Sequence, residues 1–270
     1  MDNNQKKLKP IISRIGGKSK MADRIINAMP PHKTYIEPFV GGGSVYFKKP
    51  LVEKNVINDI DDFVINIYKD IRDIENFDFE PTVEDVTKDK FMEYKNKKEF
   101  NNNRERLLNN LLLNKLSMLG KNTHYGFDNY ATESKRIPKF KFIKEHINEY
   151  KYKLNHTIIL NQDYKSVIKK YDNKNALIYL DPPYSDVKKS WGYKGNPEMD
   201  ELIEILKNVK GKFIMSYDHS DEIVEEMNKY FNVYEIDTTY PSRRGADRSK
   251  VVKEILITNY NIPDLDVLDV

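Results

Sequence analysis

Cysteine is absent from the 270 residues, which excludes a disulfide framework, a thiolate metal site and a cysteine nucleophile. A reducing, cytoplasmic setting fits that usage. Histidine is sparse, with five residues and no HxxxH-type spacing, so no metal is expected. Long apolar runs are missing too. Nothing approaches the roughly 20 residues that span a bilayer, and the opening Met1-Asp2-Asn3-Asn4-Gln5-Lys6-Lys7 is too polar for a signal peptide, so no membrane partner is expected. Charge of one sign is scarce: 45 Lys and Arg against 42 Asp and Glu leave +3, too little to argue a polyanionic partner by itself. There is no internal repeat. The length suits one large domain, or one domain carrying an insertion.

What is present is a series of short strands, each ending in an acidic residue. The most informative is Ala176-Leu177-Ile178-Tyr179-Leu180, followed by Asp181-Pro182-Pro183-Tyr184. Five consecutive apolar residues are too few for a helix and read as a buried parallel strand. Two prolines then stop it, remove two backbone donors and hold Asp181 extended at the strand end. In open α/β sheets ligands bind at that end. A Pro-terminated strand with a capping Asp would use the same letters, so the rest of the chain must decide.

Three further segments bear on it. Ile15-Gly16-Gly17-Lys18-Ser19 precedes a helix over 21–29, a start that suits an anion. It is not a P-loop, because Ile12 stands where the first glycine should be. Thr34-Tyr35-Ile36-Glu37-Pro38-Phe39-Val40-Gly41-Gly42-Gly43 is a strand, an acid and three glycines before a helix. Either a flexible turn or close approach by a ligand accounts for the glycines, and Glu37 would repel a polyphosphate but suit a cationic ligand. Val56-Ile57-Asn58-Asp59 ends a second strand with an acid where nucleoside-binding folds hold ribose hydroxyls, while Asp61 and Asp62 are expected to cap the next helix. Thr157 to Asp163 repeats the strand-then-acid pattern. Strands over 212–217, 233–236 and 251–257, with helices over 199–208 and 221–229, complete an α/β rhythm.

Residues 70–153 interrupt that rhythm with charge runs and an apolar helix over 107–116. Lys121, Asn122, His124, Tyr125, Arg136, Lys139 and Lys141 mix basic, polar and aromatic side chains, as phosphate contact plus stacking requires. A solvated face over a helical subdomain would account for the same residues. Arg243, Arg244 and Arg248 form a second basic candidate, in the loop between the last two strands.

Taken together, Gly-Gly-Lys, the glycine-rich turn, the acids after strands two and three, and Asp-Pro-Pro-Tyr resemble the Dam-like (alpha) group of S-adenosylmethionine-dependent DNA adenine methyltransferases. The resemblance runs from Ile15 to about Tyr260, in the motif order of that group. It implies a Rossmann-like class I methyltransferase fold: a seven-stranded, mostly parallel sheet with helices on both faces and one antiparallel strand. Residues 1–69 and 154–270 would form the catalytic domain, and 70–153 a mainly helical target-recognition insert. It implies that Ile15, Gly17 and Lys18 lie at the methionine end of S-adenosylmethionine. Glu37, Pro38, Phe39, Gly41 and Gly43 would surround its amino acid and sulfonium, Asp59 its ribose and Asp163 its adenine, with Asp181 also at the cofactor.

Catalysis would fall to Asp181, the Pro182 carbonyl and Tyr184. The two acceptors draw on the hydrogens of the adenine amino group, whose lone pair is otherwise delocalised into the ring, and Tyr184 stacks on a base that has left the duplex. The same chemistry suits a cytosine amino group, RNA or a protein amide, and a non-catalytic nucleic-acid binder could keep the fold. The implied partner is double-stranded DNA, with the protein a monomer or weak dimer in the cytoplasm of a bacterium, or of a host cell if a phage or virus encodes it. Two positions depart from the group: Ile15 replaces an aromatic, and 121–140 lacks the Arg-x-Asn and Gly-x-Phe-Asn pattern of enzymes reading GATC.

Overall fold

The computed structural model describes residues 8–126, 137–183, 199–241 and 249–263. Seven strands form one sheet: β1 (Thr34–Glu37), β2 (Lys54–Asn58), β3 (Ile158–Leu160), β4 (Ala176–Leu180), β5 (Lys212–Asp218), β6 (Asn232–Pro241) and β7 (Ser249–Thr258), in the order β3-β2-β1-β4-β5-β7-β6. β1 pairs in parallel with β2 and β4, and β4 with β5. Among the described pairings β7 alone runs against its neighbours, β5 and β6. This is the Rossmann-like, mostly parallel sheet expected. β4 sits between two parallel strands with all five residues buried, which is why its sequence is apolar without alternation. The order reverses between β1 and β4, since later strands add outward on either side. That reversal is a topological switch point, and its crevice lies outside the strands' carboxyl ends.

The chain divides into two compact units. The second contains residues 18–40, 52–60 and 162–270, and so all strands but β3. Its described helices are α1 (Ala22–Asn27), α8 (Tyr164–Tyr171), α9 (Met199–Lys207) and α10 (Asp221–Asn228). Tyr260 closes its core from the chain's end, donating from its hydroxyl to the Ala28 carbonyl at 3.0 Å.

The first unit contains residues 1–17, 41–51 and 61–161, so the 70–153 segment lies wholly within it, together with short stretches from elsewhere in the chain. It carries α2 (Ser44–Lys48), α3 (Asp62–Asp73), α4 (Lys88–Asn96), α5 (Asn103–Leu116), α6 (Ile137–Glu145) and α7 (Ile147–Asn155). α3 packs on both α5 and α7. The buried Phe47 ring meets Tyr46, Tyr68 and Tyr150 edge-on, at 4.9, 5.5 and 5.2 Å between centroids. Arg106 grips the buried Asp70 through two parallel hydrogen bonds, of 2.9 and 2.6 Å, joining α5 to α3.

α5 is apolar enough to be found by pattern, yet Asn114 and Lys115 are buried on it. Their partners explain them. Asn114 accepts from the Ser13 amide (2.8 Å) and donates to the carbonyls of Ser13 (3.1 Å) and Gly120 (3.3 Å) and to Asn122 Oδ1 (3.3 Å). Lys115 donates to the Ile11 carbonyl. One helix thereby holds both the 11–13 strand of loop and the turn after its own end.

Gly120 completes the junction. Its φ is +70°, and a Cβ there would stand 1.9 Å from the Ser13 carbonyl oxygen, a backbone atom with no freedom to yield. Gly120→Ala is therefore expected to destabilise the protein by about 2–4 kcal/mol, read as a lowered urea midpoint with an unchanged slope.

Candidate active site

In the second unit, β1, β4 and β5 are parallel, so their carboxyl ends share one edge. That edge carries Glu37, Asp181 and Asp218, and antiparallel β7 adds Glu254 opposite Asp218. The Lys18 ammonium lies among these acids, 3.1 Å from Asp181 Oδ1 and 3.6 Å from Glu254 Oε2. Lys18 and Glu254 are 2 % and 1 % exposed. Lys18 of the Gly-Gly-Lys stretch thus faces the protein's own carboxylates. Ser216 Oγ donates to Asp181 Oδ1 at 3.2 Å, and the Tyr179 hydroxyl lies 3.0 Å from Ser216 Oγ.

These surroundings set the charge of the site. Protein packs densely around Asp181 although 23 % of its side chain remains exposed, and this desolvation pushes its pKa above the ordinary aspartate value. The Lys18 ammonium and the Ser216 hydroxyl pull it back. Burial likewise raises Asp218, opposed by Lys18 and reinforced by Glu254 and Asp181. The Tyr179 hydroxyl is held neutral by burial. Pro182, next in the chain, is buried.

The loops beside this edge are held by Asn58, the last residue of β2, which is 1 % exposed. It donates to the Pro38 carbonyl (3.0 Å) and the Gln162 carbonyl (2.9 Å), and its Oδ1 accepts from the Gln162 amide (2.9 Å). Its own carbonyl accepts from the Val40 amide at 2.8 Å. One amide side chain thereby sets the backbone beside Glu37, Asp59 and Asp163 together. Glu37 itself is buried and accepts a 2.6 Å hydrogen bond from the Tyr35 hydroxyl. The half-buried Phe39 ring packs on Tyr164 at 5.1 Å. Asp163 is exposed and caps α8, accepting from the Lys165 amide at 2.9 Å.

The first unit holds the other expected positions. Ile15 is half-buried and Gly17 exposed in the loop before Lys18. The Gly41 carbonyl accepts from the Tyr68 hydroxyl at 2.6 Å. Gly43 opens α2 at φ +70°, where a Cβ would meet the Phe47 ring at 2.7 Å. Asp61 caps α3 as expected, accepting from the Phe63 amide, and also pairs with Arg14. Of the proposed nucleic-acid contacts, Lys121, Asn122, His124 and Tyr125 lie in the turn after α5. His124 is exposed, with Nδ1 3.1 Å from Thr123 Oγ1. The Tyr125 hydroxyl donates to the Val86 carbonyl at 2.8 Å, and its ring packs on Phe91. Lys141 is exposed on α6, 3.9 Å from Glu145. Tyr184, Arg136, Arg243, Arg244, Arg248 and the side chain of Lys139 lie outside the described residues. Among the described residues no group of His, Asp or Glu is arranged to hold a metal ion.

Sequence reasoning missed Asn58, Ser216, Asp218 and Glu254. Their signal was a polar residue in, or at the end of, an otherwise apolar strand: Ser216 after Phe213-Ile214-Met215, and Glu254 before Ile255-Leu256-Ile257.

Residues 15–241 match the family described as D12 class N6 adenine-specific DNA methyltransferase. The chain belongs to that family. It is an S-adenosylmethionine-dependent enzyme that methylates adenine in DNA. It is similar to the type II methyltransferase M1.LlaDCHI of Lactococcus lactis subsp. cremoris, with 26 % identity over 96 % of this chain and 98 % of the relative. The type II methyltransferase M.MjaIII of Methanocaldococcus jannaschii is 24 % identical over 94 % of this chain and 99 % of its own. Among solved structures, precorrin-6y C5,15-methyltransferase from Geobacter metallireducens GS-15 shares 8 % identity at a TM-score of 0.40, covering 96 % of this chain and 95 % of that one.

In this D12-class chain Lys18 is the cation set beside two acids, the buried Glu254 and the partly exposed Asp181. Lys18→Met is expected to destabilise the protein by about 3 kcal/mol or more at alkaline pH. Without the ammonium, the pKa of Asp181, already raised, rises further. Stability relative to the parent is therefore lost as pH rises through that value and regained as pH falls below it. Urea unfolding at several pH values measures both the size and the sign.

Proposed function

We propose that the chain methylates adenine in double-stranded DNA after the base has left the helix, with Asp181 and the Pro182 carbonyl receiving the two hydrogens of the amino group. The observation that carries this reading is the position of Asp181. It is a carboxylate one residue past the central strand, at the switch point, and the two residues that follow it have no backbone N–H. An acceptor pair in that place draws the nitrogen toward tetrahedral geometry and frees its lone pair. The protein's share of the rate is then orientation and fixed electrostatics. Tyr184, next in the chain, is assigned the stacking platform.

The acidic edge suits S-adenosylmethionine by the chemistry of its donor set. Asp181, Asp218 and Glu254 lie around one buried cation, and Glu37 ends the neighbouring strand, an excess of negative charge that favours a ligand bearing a sulfonium and an ammonium. We assign Glu37 to those cationic groups, Asp59 to the ribose and Asp163 to the adenine ring, as the resemblance implies. Asp163 keeps one carboxylate oxygen beyond its capping bond for that contact. When bound, the cofactor supplies a methyl group on a good leaving group, and no side chain here needs to become covalently attached. The type II designation of the two relatives supports a setting in restriction–modification; we assign the protein to the cytoplasm, acting as a monomer or weak dimer, as the resemblance implies.

The test uses the full chain, methyl-labelled S-adenosylmethionine and genomic DNA free of adenine methylation. Label is expected in N6-methyladenine on nucleoside analysis. Asp181→Ala should lower the transfer rate at saturating cofactor by about 100-fold or more. Label in cytosine alone, or an Asp181→Ala protein as active as the parent, refutes the assignment.

A further inference from the structure

The two hydrogen-bonding contacts described for the Asp181 carboxylate fall on the same oxygen. Lys18 Nζ is 3.1 Å from Oδ1, and Ser216 Oγ donates to Oδ1 at 3.2 Å. Ser216 has one hydroxyl proton, which this bond uses. The Tyr179 hydroxyl, 3.0 Å from Ser216 Oγ, therefore serves as donor, and the protons run in one direction from Tyr179 to Ser216 to Asp181. Tyr179 and Ser216 are 1 % and 0 % exposed. β4 and β5 are in parallel register with Leu180 beside Met215, which carries Asp181 alongside Ser216.

A buried Ser–Tyr pair is a costly way to fill space, because two hydroxyls leave water for a net gain of about 1 kcal/mol per bond. An Ala–Phe pair would pack the same gap with no polar group to satisfy. What the hydroxyls add is direction. The terminal torsion of an aspartate is broad, so an untethered carboxylate presents either oxygen over a range of angles. Two donors on one oxygen remove that freedom before substrate arrives, when fixing the group adds nothing to the barrier.

We infer that Ser216 is a positioning residue for methyl transfer: backed by Tyr179 and flanked by Lys18, it pins Asp181 Oδ1 and presents Oδ2 to the adenine amino group. The inference rests on the reading of Asp181 as acceptor given above. Among the described residues, the charged and titratable groups that face this carboxylate are Lys18 from the segment before α1, Asp218 from β5 and Glu254 from β7, with Tyr179 and Glu37 lying beyond. Of these, only Lys18 shares Oδ1 with Ser216.

The experiment compares Ser216→Ala, Tyr179→Phe and Asp181→Ala with the parent chain. Single-turnover transfer to genomic DNA free of adenine methylation is measured across pH, and cofactor affinity separately. Ser216→Ala is expected to lower the transfer rate about tenfold with unchanged cofactor affinity. Its acid limb should move to higher pH, because a donor to the charged carboxylate has gone. Tyr179→Phe should move both in the same direction by less.

A Ser216→Ala protein with the parent's rate and acid limb overturns the inference. So does a loss confined to cofactor affinity with the acid limb in place. If Ser216→Ala fails to fold, Tyr179→Phe, which removes only one oxygen, decides by the same two readouts. Asp181→Ala separates the two levels. If it is as active as the parent, the acceptor reading itself falls. If it is inactive while Ser216→Ala and Tyr179→Phe match the parent, only the positioning role falls.

Discussion

One buried ammonium governs the carboxyl edge of the sheet. Lys18 is the cation against which both Asp181 and Glu254 are set, in a place where an unpaired charge would cost several kcal/mol. The arrangement looks wasteful as a stabilising device, since hydrophobic residues of similar volume often do as well. Its value lies in what it permits. A carboxylate can stay ionised while largely surrounded by protein, at the point where the proposed reaction needs a hydrogen-bond acceptor.

The second constraint is topological. Parallel strands put every carboxyl terminus on one edge, and the reversal of strand order between β1 and β4 opens a crevice there. Glu37 and Asp181 end those two strands. Asn58 then ties the backbone after β1 to that before α8, so that Asp59 and Asp163 project from a connected framework and not from independent loops. In the first unit Asn114 does the same for a different pair of segments, holding Ser13 and the Gly120 turn through four hydrogen bonds. In both places an asparagine on the buried face of a regular element binds irregular backbone. Its amide both donates and accepts, so it satisfies peptide groups that have no ladder partner.

Much of the fold was legible because its signals are local. The apolar run at 176–180, the double proline, the glycine turn and the acids at strand ends each depend on a few adjacent residues, and the structure places strands and helices where those patterns predicted them. The helix over 107–116 was equally plain, but nothing in its letters said that Asn114 would face inward. Residues 70–153 were separable from the α/β rhythm by composition. That they share a compact unit with 8–17 and 41–51 was not legible, because the packing of α3 on α5 and α7 joins residues far apart in the chain.

The sequence by itself determined the fold class, the strand-end placement of Asp181 and the family, since each follows from motif order and local backbone chemistry. Only the tertiary structure decided what surrounds that carboxylate. Lys18, Ser216 and Glu254 stand 163, 35 and 73 positions from it in sequence, and no pattern in the chain links them. Strand register sets β5 beside β4 and β7 beyond it, bringing a hydroxyl to the carboxylate and a second acid to its ammonium. The charge and orientation of the acceptor are therefore properties of the sheet.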